Sequence, residues 1–110
     1  MKTKKGQNKM KTLNEKNLER INYLIYEINR DNDICKNIKN ESGSKFWFSF
    51  RCYYDAKIKS VELYEEYGIR ITSIVDCWIE EKDRLIKSRS EGCKMYNQCM
   101  KAKDEKRANA

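Results

Sequence analysis

The chain has 110 residues, with 24 lysines and arginines against 17 acids, no histidine and no proline. That length allows one domain with a modest core. The missing histidine excludes Ser-His-Asp and Cys-His catalysis and removes the commonest metal ligand, and no apolar run approaches the roughly twenty residues of a membrane span.

The positive charge is segregated along the chain. Met1–Thr12 holds five lysines (Lys2, Lys4, Lys5, Lys9 and Lys11) and no acid, Leu13–Ser90 holds fourteen charges of each sign, and Glu91–Ala110 holds five bases against three acids. Residues 1–12 therefore read as a disordered basic arm, and residues 13–110 as a single small domain with a frayed basic C-terminus. The basic start is followed by polar residues, so no secretory signal is expected and the chain reads as cytoplasmic.

Leu13–Asn40 carries the clearest periodicity. Leu18, Ile21, Ile25 and Ile28 step by three, four and three, which places them on one helical stripe. Thr12 followed by Glu15 three residues on predicts a capping box. A single helix over 13–40 would reach about 42 Å at 1.5 Å per residue. It should therefore break near Asp31-Asn32-Asp33 or project and pair with a partner, for instance a second copy of the chain.

Glu41-Ser42-Gly43-Ser44 reads as a turn. Beyond it, Phe46, Phe48, Phe50, Cys52 and Tyr54 alternate with Trp47, Ser49, Arg51 and Tyr53. Period two and aromatic content predict a strand, although a helix would align Trp47, Phe50, Tyr54, Ile58 and Val61. Residues 55–75 read two ways, as a helix over Ala56–Tyr67 capped by Asp55 and ended by Gly68 in the left-handed conformation, or as a β hairpin with Gly68 in its turn; local propensity favours the helix up to Tyr67 and a strand for Ile69–Val75. From Asp76 onward the pattern is helical, with Trp78, Ile79, Leu85 and Ile86 on a stripe, an interruption at Ser88–Gly92, and a last short helix through Cys93, Tyr96, Cys99 and Met100. The expected fold is mainly α, with α+β the alternative. Two long amphipathic helical regions, about 13–40 and 74–107, should pack around a small central antiparallel β element or a third helix.

The five cysteines, Cys35, Cys52, Cys77, Cys93 and Cys99, form no Cys-x-x-Cys pair, so they read as small core hydrophobes. Asp31-Asn32-Asp33 begins like a calcium loop but lacks the glycine and distal glutamate that would complete one. No acid–base constellation and no phosphate-binding glycine loop is present, so neither an enzyme, a metal nor a cofactor is expected.

Leu63, Gly68, Ile69, Ser73 and Ile74, followed by Trp78 and Ile79, resemble the helix-turn-helix of transposase-like and phage regulators. The motif's usual small residue would be Tyr64, and the second helix would carry Asp76, Glu80 and Glu81, which phosphate repels. In size, composition and lack of motifs the chain is also similar to small mobile-element inhibitors of host nucleic-acid defences, the anti-CRISPR class among them.

Two functions are carried forward. The first is a non-enzymatic inhibitor or adaptor that docks on a host protein or nucleoprotein complex. It would contact RNA, DNA or an acidic surface through Lys2, Lys4, Lys5, Lys9, Lys11, Lys45, Arg51, Lys101, Lys103, Lys106 and Arg107, with Trp47 and Tyr53 as stacking or interface aromatics. The alternative is a helix-turn-helix DNA-binding transcriptional regulator.

Overall fold

The computed structural model describes residues 12–108, and every regular element among them is helical. Helix α1 spans Leu13–Ile34 and runs into a 3-10 helix over Cys35–Asn40. Helix α2 spans Gly43–Tyr67, the short α3 spans Val75–Glu80, and α4 spans Lys82–Ala108. The arm lysines Lys2, Lys4, Lys5, Lys9 and Lys11 lie outside the described residues.

The mainly α expectation holds, and the two outer helical regions fall where their patterns placed them. Thr12 caps α1 through the capping box: its hydroxyl accepts from the Glu15 amide at 3.1 Å, and the Glu15 carboxylate accepts from the Thr12 amide at 3.0 Å. The break comes slightly later than the Asp31–Asp33 run. α1 continues to Ile34 and then tightens into the 3-10 helix, with Asn37 (φ −108°, ψ 24°) marking the kink.

The central β element is absent. Residues 46–54 form the first half of α2, so the third-helix alternative is the one realised. A lone strand leaves its amides and carbonyls without partners, whereas a helix satisfies them internally. Ile69–Val75 forms no strand that could pair with it. The alternating phenylalanines fit a helix because rings four residues apart stack along its side. Phe46 lies 6.0 Å from Phe50, and Phe50 lies 4.9 Å from Tyr54.

Gly68 closes α2 in the left-handed region (φ 70°), as its position predicts. Its amide bonds to the Tyr64 carbonyl at 2.8 Å, and the Ile69 amide returns to Leu63. The expected interruption at Ser88–Gly92 does not occur, and α4 runs unbroken from Lys82 to Ala108.

Helix α2 is the centre of the molecule, and α1, the 3-10 helix, α3 and α4 all pack on it. Leu24 and Ile28 of α1 meet Ala56 and Leu63 of α2, with Ile21, Ile25, Tyr67 and Ile69 closing the edge. Cys52, Ile58, Val61, Val75 and Leu85 are buried as well. Each fully buried aliphatic side chain contributes about 1.5–3 kcal/mol from the surface it removes from water.

On the other side, Gly92 brings α4 against the backbone of α2. A Cβ at this position would lie 2.9 Å from Phe50 Cδ1 and 3.3 Å from the Cα and N of Arg51. A glycine in mid-helix costs about 1 kcal/mol relative to alanine, and here the close approach of the two helices offsets it. Because two of those contacts are backbone atoms, Gly92→Val must push the helices apart. We expect it to lower the unfolding free energy by about 2 kcal/mol or more in urea titrations. Ser90→Ala on the exposed side of the same turn should change it by less than about 0.5 kcal/mol.

Candidate functional site: a buried carboxyl cluster and a basic groove

Two arrangements of polar side chains stand out. The first lies inside the bundle, where α1, α2 and α4 converge. Asp31 of α1 is fully buried, and Asp55 of α2 is 5% exposed. Lys59, one turn beyond Asp55, pairs with it closely and also lies 3.8 Å from Glu27. Arg89 of α4 donates to Asp55 at 2.7 Å, and Arg30 donates to Glu27 at 2.8 Å.

Asp31 is treated differently. Its nearest cation, Arg30, stands 3.6 Å away, beyond hydrogen-bonding distance, and no donor ordinarily carried by these side chains satisfies its two oxygens. The Asp55 carboxyl is close enough to interact with it. Two adjacent carboxyl groups share a hydrogen bond only when one of them holds a proton.

The environment decides which. Burial, then the hydrogen bond and charge of Asp55, push Asp31 up to about 7, against the pull of Lys59 and the Cys52 thiol. Burial also acts to raise Asp55, but hydrogen bonds from Asp31, Lys59 and Arg89 outweigh it and hold Asp55 down at about 2. Asp31 thus carries the shared proton and Asp55 the charge. Cys52 is driven up to about 12, chiefly by burial and then by the charge of Asp31, so it stays a thiol and is no nucleophile.

The second arrangement is an open groove of about 510 Å³ between the start of α2 and the last turns of α4. Ser42, Gly43, Ser44 and Lys45 form one wall, and Cys99, Ala102, Lys103 and Lys106 the other. Ser42 occupies the N-cap position of α2 without a side-chain capping bond, so the first-turn amides add positive potential to the three lysines. No acid is among the described residues that line it. A second hollow of about 310 Å³ shares Ser44 and Lys45 with the first and continues past Phe48, Ser49, Tyr96, Ile34 and Glu41. Phe48 and Tyr96 face each other there with ring centroids 5.6 Å apart.

Of the residues singled out in the sequence, Lys45, Lys103 and Lys106 are brought together in this groove. Lys101 is exposed on α4, and Arg107 belongs to the same helix, though its side chain lies outside what the structure describes. Arg51 is half-buried, with its guanidinium 5.0 Å from the centroid of Phe48. Trp47 is half-buried between Phe46 and Phe50, at 5.0 and 5.1 Å between centroids. Tyr53 is exposed and borders a third cavity, of about 480 Å³, opposite Trp78. The Lys57 ammonium lies 4.2 Å from the Tyr53 ring centroid and 5.0 Å from that of Trp78.

The segment that resembles a helix-turn-helix has Leu63 buried and Gly68 in the left-handed turn. Its second helix, α3, is six residues long, and Asp76 and Glu80 are exposed on it. Asp76 is paired with Arg70 at 2.9 Å. Only Cys52 of the five cysteines is fully buried. Cys35, Cys93 and Cys99 are partly buried and Cys77 is exposed, which corrects the reading of all five as core residues. Among the described residues no cluster of ligating side chains could hold a metal ion, and no helix is long and apolar enough to cross a membrane.

The sequence reading missed Glu27, Asp31, Asp55, Lys59 and Arg89. The signal was present: Asp31 sits three residues beyond Ile28 on the apolar stripe, where a solvated acid does not belong. Comparisons with protein-family models, with curated proteins and with solved structures find no match for the chain.

Removing one member of a buried ion pair strands the others, which costs about 3–5 kcal/mol. Asp55→Ala leaves Lys59 and Arg89 without their shared partner, so we expect a loss of that size in chemical denaturation. Arg20→Ala, which breaks the exposed bridge to Glu62 between α1 and α2, should cost less than about 1 kcal/mol.

Proposed function

We propose that the protein is a non-enzymatic binding protein of the inhibitor or adaptor kind, resembling small mobile-element and anti-CRISPR-like inhibitors. It docks on a host nucleoprotein and seats an anionic strand of it in the groove between α2 and α4. One observation carries this reading: Lys45 and the pair Lys103 and Lys106, far apart in the chain, face a common space with no carboxylate among the described residues that line it. A phosphate backbone is the partner that best repays such a concentration of charge, because each neutralised phosphate releases counterions. The Phe48–Tyr96 pair in the adjoining hollow offers ring surface against which an unstacked base can lie.

The test is fluorescence anisotropy with single-stranded RNA and with duplex DNA at several salt concentrations. Reversing all three lysines (K45E, K103E and K106E together) should weaken single-strand binding by about tenfold or more. The slope of log affinity against log salt should fall by about two. Unchanged affinity and slope would remove the groove from the contact. The helix-turn-helix reading predicts something else: a duplex sequence preferred about a thousandfold over random DNA, with that preference surviving the triple reversal.

A further inference from the structure

We propose that the Asp31–Asp55 pair is a proton-operated latch that holds the C-terminal end of α1, and with it the 3-10 helix Cys35–Asn40, against α2. The latch does not depend on what the groove binds. Asp31 is fully buried, and both its oxygens lack a partner unless one of them carries a proton. With the proton in place, Asp31 can donate to Asp55 across the α1–α2 interface. Without it, two carboxylates face each other in a site closed to water, and such a pair cannot both stay ionised at ordinary pH.

Every charged or titratable group around the pair bears on this. Glu27 and Arg30 come from α1, Cys35 from the 3-10 helix, Cys52 and Lys59 from α2, and Arg89 from α4. With Asp31 ionised, the three acids and three bases would balance in number. Geometry prevents the balance from helping. Lys59 and Arg89 are both engaged by Asp55, and Arg30 is engaged by Glu27, so none donates to Asp31. Position on the helix adds to the penalty: Asp31 lies in the last turn of α1, where the carbonyl ends of the peptide dipoles repel a negative charge.

The segment downstream is held by half-buried side chains, Cys35 and Ile38 among them. The 3-10 helix contains no fully buried residue. Its anchors beside the pair are the half-buried Ile34 and the Ser49 hydroxyl, which meets the Glu41 carboxylate and the Ile34 carbonyl. Ionising Asp31 therefore loosens a weakly anchored element rather than the whole core.

The sign of the pH dependence follows. A carboxyl held protonated by the fold above its unfolded value favours the latched state fully at pH below about 4, the unfolded carboxyl's range. That advantage declines as pH rises, and above the folded value of about 7 none remains. The latch is closed in mild acid and open in mild alkali.

Two measurements on the full chain test this. A carbon-13 NMR titration of the side-chain carboxyls should place the Asp31 midpoint at least about two pH units above an ordinary aspartate. Amide hydrogen exchange at pH 5.5 and 8.0, corrected for the intrinsic rate, should show protection across residues 31–41 falling by at least about tenfold at the higher pH. The amides of Ile58 and Val61 in α2 should change far less. Asp31→Asn, whose carboxamide can still donate to Asp55, should abolish the pH dependence. An Asp31 midpoint near 4, an equal loss of protection at Ile58 and Val61, or an undiminished pH effect in Asp31→Asn would each overturn the proposal. Should Asp31→Asn fail to fold, the two wild-type measurements still decide.

Discussion

The Asp55 carboxylate lies where α1, α2 and α4 converge, and the placement of all three helices follows from satisfying it. Lys59 holds it from the same helix, Arg89 reaches it from α4, and Asp31 meets it from α1. A buried ionic cluster gives little net stability over a well-packed apolar core, because desolvation consumes most of the attraction. What it supplies here is geometry, since the partners can be satisfied in few arrangements of the helices. The side chains around it suit that role. Ser49, Cys52, Ala56 and Ser60 are small, and all four are buried. Ser60 returns its hydroxyl to the Ala56 carbonyl at 2.7 Å, leaving no donor loose.

How much of this the sequence disclosed depends on which helix is considered. Helix α1 was legible from Leu18 to Ile28 because its core face is aliphatic and its N-terminus carries a capping box. Leu18 itself, 58% exposed, lies beyond the reach of the packing although it keeps the register. Helix α2 was misread at its start because it is buried on two sides, so apolar residues appear all round it and no single stripe dominates. Aromatic residues at every second position then imitate a strand. Helix α4 hid its contact face for the opposite reason. Leu85, Arg89, Gly92 and Tyr96 step by four, three and four, and each meets α2 or the core. Only two of them are apolar. An ion pair and a glycine contact leave no trace in a hydropathy pattern, so an unbroken helix was read as two pieces.

The charge balance of the central region has a structural counterpart. Its acids and bases are used to join elements: Arg20 with Glu62, Lys59 with Glu27, Lys82 with Glu65, Arg70 with Asp76, and Arg89 with Asp55. Exposed bridges of this kind contribute little individually, but they spend the region's positive charge within the fold. The bases at the end of α4 outnumber the acids among them, Asp104 and Glu105. α2 starts alongside them because the two helices run antiparallel, Arg89 opposite Asp55, Gly92 opposite Phe50 and Tyr96 opposite Phe48. The same register that satisfies Asp55 therefore sets Lys45 beside Lys103 and Lys106.

The groove and the buried pair are joined through a short stretch of chain. Ile34 and Glu41 bracket the 3-10 helix and also line the hollow that continues the basic groove. Ser49 touches both, and its single hydroxyl proton goes to the Glu41 carboxylate, the closer acceptor, while the Ile34 carbonyl stands at 3.4 Å. Asp31 is one helical turn before Ile34, so a change in its charge acts first on the residues that form this wall. A ligand that contacts Ile34 or Glu41 distinguishes the closed and open positions of the segment, and its affinity must then depend on the proton. By linkage, occupation of the hollow shifts the ionisation of Asp31 by the same free energy. Contacts confined to Lys103 and Lys106 lie on α4, away from the hinged segment, and carry no such dependence.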